Sequence, residues 1–176
     1  KSDDLGNAKL VFVVGFAWGA LPTSEGGDQL LGDVLVAHKV VDAGHNKVSQ
    51  DGELSIRGAV SANSITKAVN ALLCRDWPRE SETHFGGEIR IPENPRRPKV
   101  HVGTVLSLPT LIDGKETATA WISHKQIKEY KLIGGDMELY QVAAAAEERR
   151  VPWFFSKGIC DDAGLTGAKN KEAQPL

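Results

Sequence analysis

The feature that most restricts the fold is a continuous apolar stretch at residues 10–14, which has the sequence Leu-Val-Phe-Val-Val and ends at Gly15. A strand that is apolar on both faces must be covered on both sides, as central strands of parallel sheets are. Residues 100–106 and 153–159 have the same strand-like character. Because helical patterns lie between these stretches, the sequence predicts an α/β fold with a central mixed, mostly parallel sheet.

Three segments have the apolar spacing that is typical of helices: residues 63–74, 115–130 and 136–150. Asn63 or Ser64 is suited to cap the first of them, and Pro152 stops the last. Two further strands are predicted at residues 34–41 and 131–133.

Residues 15–27 are predicted to form a loop, because Gly, Pro, Ser and Thr cluster there. Residues 42–60 look irregular, with a hairpin as an alternative around Asp51-Gly52.

Composition excludes several classes of protein. The chain has 176 residues and a net charge of −2, which argues against a nucleic-acid binder. Cys74 and Cys160 lie far apart without CxxC spacing, so we expect neither a metal site nor a disulfide framework, and no cofactor. No apolar run has the length of a membrane span, and the first 20 residues lack the layout of a signal peptide. These features favour a cytoplasmic protein.

Ligands of open α/β sheets bind beyond the carboxyl ends of the strands. After the first strand, the glycines that flank Phe16, Ala17 and Trp18 would let the backbone approach a ligand, and a simple turn is the alternative explanation. Before the last helix, a carboxylate of the Asp136-Met137-Glu138 segment could accept hydrogen bonds from a sugar diol while its methionine packs against the sugar. The alternative is that these acids only stabilise the helix dipole.

A third strand end carries Asp161-Asp162, directly after the stretch at 153–159. A carboxyl group placed in a cleft at that point is suited to general acid catalysis, and a helix cap or turn is the alternative. Since Asp161 comes first after the strand, we expect it, rather than Asp162, to face the cleft.

Five segments, taken in order, carry a resemblance to a known family. They are residues 14–19, 31–37, 100–107, 133–138 and 151–161, with the sequences VGFAWG, LGDVLVA, VHVGTVLS, IGGDME and VPWFFSKGICD. Together they resemble the nucleoside phosphorylase/nucleosidase superfamily, and within it the 5′-methylthioadenosine/S-adenosylhomocysteine nucleosidase branch. The resemblance implies a three-layer α/β/α domain over residues 1–176 that hydrolyses the N-glycosidic bond of a purine nucleoside or nucleotide.

The resemblance also implies roles for individual residues. Asp161 corresponds to the acid that protonates nitrogen 7 of the departing purine. Glu138 corresponds to the carboxylate that holds the ribose hydroxyls, and Met137 lines the sugar. The other implied substrate-binding positions are Phe16, Ala17, Trp18, Leu111, Ile112 and Asp136.

Some positions depart from the family pattern. Leu108-Pro109 stand where the family has Gly or a polar residue, which puts the base pocket in doubt. The resemblance further implies that roughly the first third and the last helix of such a domain are absent, including the acid that activates water. On that basis we expect this chain alone to be inactive or nearly so, and to form a homo-oligomer through an open sheet edge.

Two other functions stay open. A purine nucleoside phosphorylase would hold phosphate with an Arg where this chain has Val13, so the sequence favours hydrolysis. A non-catalytic module that senses nucleosides or nucleotides in a signalling or defence protein is the second alternative. In each case the expected partner is a small molecule, and neither nucleic acid nor membrane is expected.

Overall fold

The computed structural model describes residues 8–20, 29–48, 54–63, 65–68, 71, 98–109, 119–120 and 125–161, and the fold is given for these. The strands are β1 (Val11–Gly19), β2 (Val34–Val48), β3 (Leu54–Ser61), β4 (Val100–Ser107), β5 (Leu132–Asp136) and β6 (Trp153–Asp161). The helices with complete bounds are α1 (Lys125–Lys128) and α2 (Leu139–Glu148). Residues 65–68 are also helical.

The six strands form one sheet in the order β3-β2-β4-β5-β1-β6, and a further pairing of β2 with β6 turns five of them into a ring. The ring can close because β2 is 15 residues long. Its first residues, 34–36, pair with β6, whereas its later part pairs with β3 outside the ring.

The predicted mixed sheet is confirmed for the described strands. The pairings β1–β6, β2–β4 and β4–β5 are parallel, and β1–β5, β2–β3 and β2–β6 are antiparallel. The strands predicted at 10–14, 100–106 and 153–159 are all present, and they form β1, β4 and β6.

Two predicted boundaries were wrong. β1 continues to Gly19 instead of giving way to a loop at Gly15, because its ladder with β6 runs through the glycines. β2 extends to Val48, and its pairing with Leu54 confirms the hairpin alternative for residues 42–60. The predicted turn at Asp51-Gly52 lies outside the described residues.

Within the described residues, helices occur in all three predicted segments, and the one predicted at 136–150 starts later. Asp136, predicted as the first residue of the last helix, ends β5, and α2 begins at Leu139. The predicted cap at Asn63 is confirmed, since its Oδ1 accepts the backbone N–H of Thr66 at 2.8 Å. At the end of α2, Arg150 adopts a left-handed conformation with φ 55°, which breaks the helix before β6.

The main apolar core lies between the ring and α2. Trp153 and Phe155 of β6, Leu35 of β2 and Leu139 of α2 are completely buried. The Trp153 indole N–H donates to Oε1 of Glu147 at 2.8 Å, so its polar group is satisfied inside the core. Each of these large side chains contributes about 1.5–3 kcal/mol by leaving water, and together they fix β6 against α2.

A second, smaller core lies at the other end of the sheet, where Val41, Leu106, Ile127 and Leu132 pack together, with Trp18 against them. Trp18 therefore connects this core to the end of β1. No helix within the described ranges is both long enough and apolar enough to cross a membrane.

Candidate functional site

A cavity of about 210 Å³ opens where the ends of β1, β5 and β6 meet. Seven of the residues predicted for the site line it: Phe16, Ala17, Trp18, Asp136, Met137, Glu138 and Asp161. The predicted base-pocket residues Leu111 and Ile112, and Asp162, lie outside the described residues. Segments that are far apart in the sequence thus meet at the strand ends, as the position rule for α/β sheets predicts.

A bulge places two consecutive residues of β6 in the cavity wall. In the β1–β6 ladder Ala17 pairs with Ile159 and Trp18 with Asp161, so Cys160 is the extra residue. Neighbouring residues of a regular strand point to opposite faces, and a bulge relaxes that alternation. Both Cys160 and Asp161 therefore line the cavity.

The Cys160 thiol lies between the two strands. Its Sγ is 3.7 Å from the carbonyl oxygen of Ala17 and 3.4 Å from Oδ2 of Asp161, and both oxygens can accept from the S–H group. Asp161 is half-buried and Cys160 is buried. The thiol and the ladder together restrict the orientation of the Asp161 carboxylate.

The start of α2 is held by side chains. Oδ1 of Asp136 accepts the backbone N–H groups of Glu138 at 2.7 Å and of Leu139 at 2.6 Å. The Ser107 hydroxyl oxygen accepts the N–H of Tyr140 at 3.0 Å. These three amides at the helix start are therefore already satisfied, and the turn that carries Met137 and Glu138 has a defined conformation.

Asp136 also forms a buried ion pair with Lys157, through its Oδ2. The side chain of Asp136 is 4% exposed and that of Lys157 is 10% exposed. Asp136 was predicted to contact substrate, and this stays a prediction: the residue lines the cavity, and both of its oxygens also make hydrogen bonds within the protein.

The exposed residues of the cavity wall are Phe16, Met137 and Glu138. Phe16 is 54% exposed and Met137 is 45% exposed. An apolar ring and a thioether therefore stand beside a solvent-accessible carboxylate, a combination suited to a ligand with an apolar part and hydroxyl groups.

Trp18 packs flat against the Gly134-Gly135 pair of β5. A Cβ atom on Gly135 would overlap the Trp18 indole, and one on Gly134, which has φ 157°, would overlap the Trp18 carbonyl oxygen. Gly135 therefore leaves the space that the indole occupies, and Gly134 allows the backbones of β5 and β1 to approach closely.

Sequence reasoning missed Lys157 and Cys160. The signal for Lys157 was present, because a lysine inside the buried stretch 153–159 must find a counter-charge. The contact of Cys160 depends on the bulge, which has no local sequence signature. Val13, which was considered as a phosphate position, is partly buried against the main core.

Neither a protein-family model nor a curated protein sequence matches the chain. Solved structures match it in fold. A Helicobacter pylori MTAN mutant with 5′-methylthioadenosine in its active site matches with a TM-score of 0.58 and 16% identity, over 90% of this chain and 58% of that chain.

Two further structures agree with this match. The 5′-methylthioadenosine/S-adenosylhomocysteine nucleosidase of Neisseria meningitidis, in complex with methylthio-immucillin-A, matches with a TM-score of 0.58 and 16% identity, over 93% of this chain and 62% of that one. A futalosine hydrolase mutant of Helicobacter pylori matches with a TM-score of 0.57 and 17% identity, over 89% and 57%. The chain has the fold of these nucleosidases and spans about three fifths of their length, between 57% and 62%.

Proposed function

We propose that this domain binds a purine nucleoside or nucleotide and hydrolyses its N-glycosidic bond. The observation that carries the proposal is the meeting of Asp161, Glu138 and Met137 with Phe16 and Trp18 around one cavity. The fold shared with solved nucleosidases supports it, and two of those structures contain 5′-methylthioadenosine and methylthio-immucillin-A.

Asp161 acts as the general acid in this proposal. When the bond between the ribosyl carbon and the base nitrogen breaks, its electron pair goes to the purine, and Asp161 donates a proton to nitrogen 7. The ribosyl carbon takes the oxygen of a water molecule, the proton that this water releases passes to solvent, and Asp161 regains its proton from solvent. Protonation of a leaving group by a positioned acid typically contributes about 10²–10⁴-fold in rate.

Glu138 holds the sugar. Its exposed carboxylate can accept hydrogen bonds from both ribose hydroxyls, while Met137 packs against the ring of the sugar. Fixing the sugar in this way orients the ribosyl carbon for attack and lowers the entropic part of the barrier.

Water is favoured over phosphate as the attacking group. The lining cation among the described residues, Lys157, is paired with Asp136, and the amides at the start of α2 are engaged by Asp136 and Ser107. The partly buried Val13 cannot bind an anion. None of these groups is available to phosphate.

Other features belong to the same proposal. They are a single domain over residues 1–176 with three α/β/α layers around a mostly parallel sheet, and a cytoplasmic location. A homo-oligomer is supported by one face of β1, where Phe12, Val14 and Phe16 are 55%, 71% and 54% exposed. A strand with such a face is a candidate for burial against another chain.

The test measures base release and binding together. Adenine release is followed with 5′-methylthioadenosine, S-adenosylhomocysteine, adenosine and ATP, with and without phosphate, for this chain and for the longest natural product of its gene. Binding of the same compounds is measured by calorimetry. Phosphate-independent release by the natural gene product supports the proposal, and release that requires phosphate overturns hydrolysis. Binding without release by either protein supports the sensing module instead.

A further inference from the structure

Asp136 and Lys157 belong to strands that are not neighbours. β1 lies between β5 and β6 in the sheet, so the ion pair reaches across it. Both side chains are buried and both line the cavity. Burying two charges is costly unless the geometry is good and the other polar atoms are satisfied, so such a pair needs a specific explanation.

The side chain of Lys157 passes over Gly15 of β1. The two residues pair in the β1–β6 ladder, and a Cβ built on Gly15 would lie 3.7 Å from Cε of the lysine. The lysine stem therefore passes over a position without a side chain. Its Nζ is also 5.6 Å from the centre of the Phe155 ring, a cation–π contact that adds to the ion pair.

The two ends of this pair lie close in sequence to the two proposed functional carboxylates. Lys157 precedes Asp161 by four residues on β6, and Asp136 precedes Glu138 by two residues after β5. Through its other oxygen, Asp136 holds the amides of Glu138 and Leu139. A displacement of Asp136 would therefore move the turn that carries the exposed Glu138.

We propose that Lys157 is a positioning residue that sets the placement of Glu138 relative to Asp161. The ammonium group holds one oxygen of Asp136, which leaves the other oxygen directed at the start of α2. This inference rests on the proposed function, because it assigns Glu138 to the sugar and Asp161 to the base.

The variants must keep the protein folded. Lys157→Met alone leaves the buried Asp136 carboxylate without a counter-charge, so it is combined with Asp136→Asn, whose side-chain oxygen can still accept from the helix amides. Lys157→Arg keeps a positive charge at this position. Lys128→Met, on the exposed surface of α1, is the matched control for loss of a lysine.

The first readout needs no ligand. Hydrogen–deuterium exchange of residues 137–142 is compared in the four proteins. We expect the Glu138 and Leu139 amides to exchange about tenfold faster or more in the double variant, because the neutral side-chain oxygen, no longer held by an ammonium group, is a weaker acceptor for them and local opening becomes easier. Lys157→Arg and Lys128→Met should resemble the unmodified protein.

The second readout is the affinity for 5′-methylthioadenosine and for adenine. A misplaced sugar-binding carboxylate should weaken binding of the nucleoside by about tenfold or more, and binding of adenine by less than about twofold. Equal losses for the two ligands, or unchanged exchange and unchanged binding, would overturn the positioning role. If the unmodified protein binds neither ligand, the proposed function fails, and unchanged exchange in the double variant would separately refute the structural part of this inference.

Discussion

The two carboxylates proposed to act on substrate are held in different ways. Asp161 is the last residue of β6, and its backbone is paired with Trp18 of β1. Glu138 lies in the turn between β5 and α2, outside any ladder, and its conformation depends on the side chain of Asp136. The end of β6 is thus fixed by backbone pairing, and the β5–α2 turn by a few side chains.

This difference predicts how each region responds to substitution. A ladder is insensitive to the identity of most side chains, so changes at the end of β6 should alter chemistry without altering the fold. The β5–α2 turn depends on a buried ion pair and on two glycines that accommodate Trp18. Changes there should affect stability and ligand placement together.

The largest effect is expected for Asp161→Asn. Loss of the general acid should lower the rate of adenine release from 5′-methylthioadenosine on the order of a hundredfold or more. The urea midpoint of unfolding should change little, because the backbone ladder with β1 is kept and an asparagine oxygen can still accept the Cys160 S–H group. Glu148→Gln, whose side chain is 81% exposed on α2, serves as the control. Unchanged turnover in Asp161→Asn would remove the acid role.

A smaller effect is expected for Gly135→Ala. The new methyl group would overlap the Trp18 indole and force it to move, at a cost of about 1–3 kcal/mol in the free energy of unfolding. Gly158→Ala is the matched control, since its methyl group would meet only Phe16, at 3.9 Å. Equal stability of the two variants, measured by urea unfolding, would show that Trp18 does not need this contact.

Glu138→Gln tests the β5–α2 turn, which is held by side chains. The uncharged side chain is a weaker acceptor for two hydroxyl groups, so we expect binding of 5′-methylthioadenosine to weaken by about tenfold, or about 1.4 kcal/mol. Binding of adenine should be nearly unchanged. Calorimetry with Glu148→Gln as control measures both. Parallel losses for nucleoside and base would place Glu138 in the base site or in the structure only.

The smallest effect concerns His38, in β2 and away from both regions. Burial, and then the positive charges of Lys67 and Lys39, lower the pKa of His38 below its usual 6.5. The unfolded chain therefore takes up a proton more readily, and stability is lost as pH falls below 6.5 towards the lower folded pKa. His38→Gln should reduce this loss when unfolding is compared at neutral and mildly acidic pH. An unchanged pH dependence would assign the effect to other groups.

Local patterns predicted the strands that are apolar throughout. β1, β4 and β6 are recognisable because each has a continuous apolar signature in the sequence. The expectation that β1 is covered on both faces was wrong for the described residues, since Phe12 and Val14 are 55% and 71% exposed. The continuation of β1 through Gly15 to Gly19 was not predictable in this way. Its hydrogen bonds come from β6, which lies far along the chain, and non-local pairing overrode the local turn preference of the glycines.

The candidate site shows the same division. Its position at the strand ends followed from the fold class, and seven predicted residues line one cavity. The pairing of Lys157 with Asp136 depends on two strands separated by a third, so only the three-dimensional structure reveals it. The assignments of Leu111 and Ile112 stay predictions.

The closed ring of strands has a consequence for folding during synthesis. β6 lies between β1 and β2, yet both of those strands end before residue 49 and β6 begins at Trp153. While the ribosome is still adding the intervening residues, each early strand therefore lacks a neighbour that it needs. Folds that depend on such distant pairings form slowly and pass through partly folded intermediates that are prone to aggregate. Nascent chains of this protein should therefore bind chaperones that protect unfolded segments until β6 emerges.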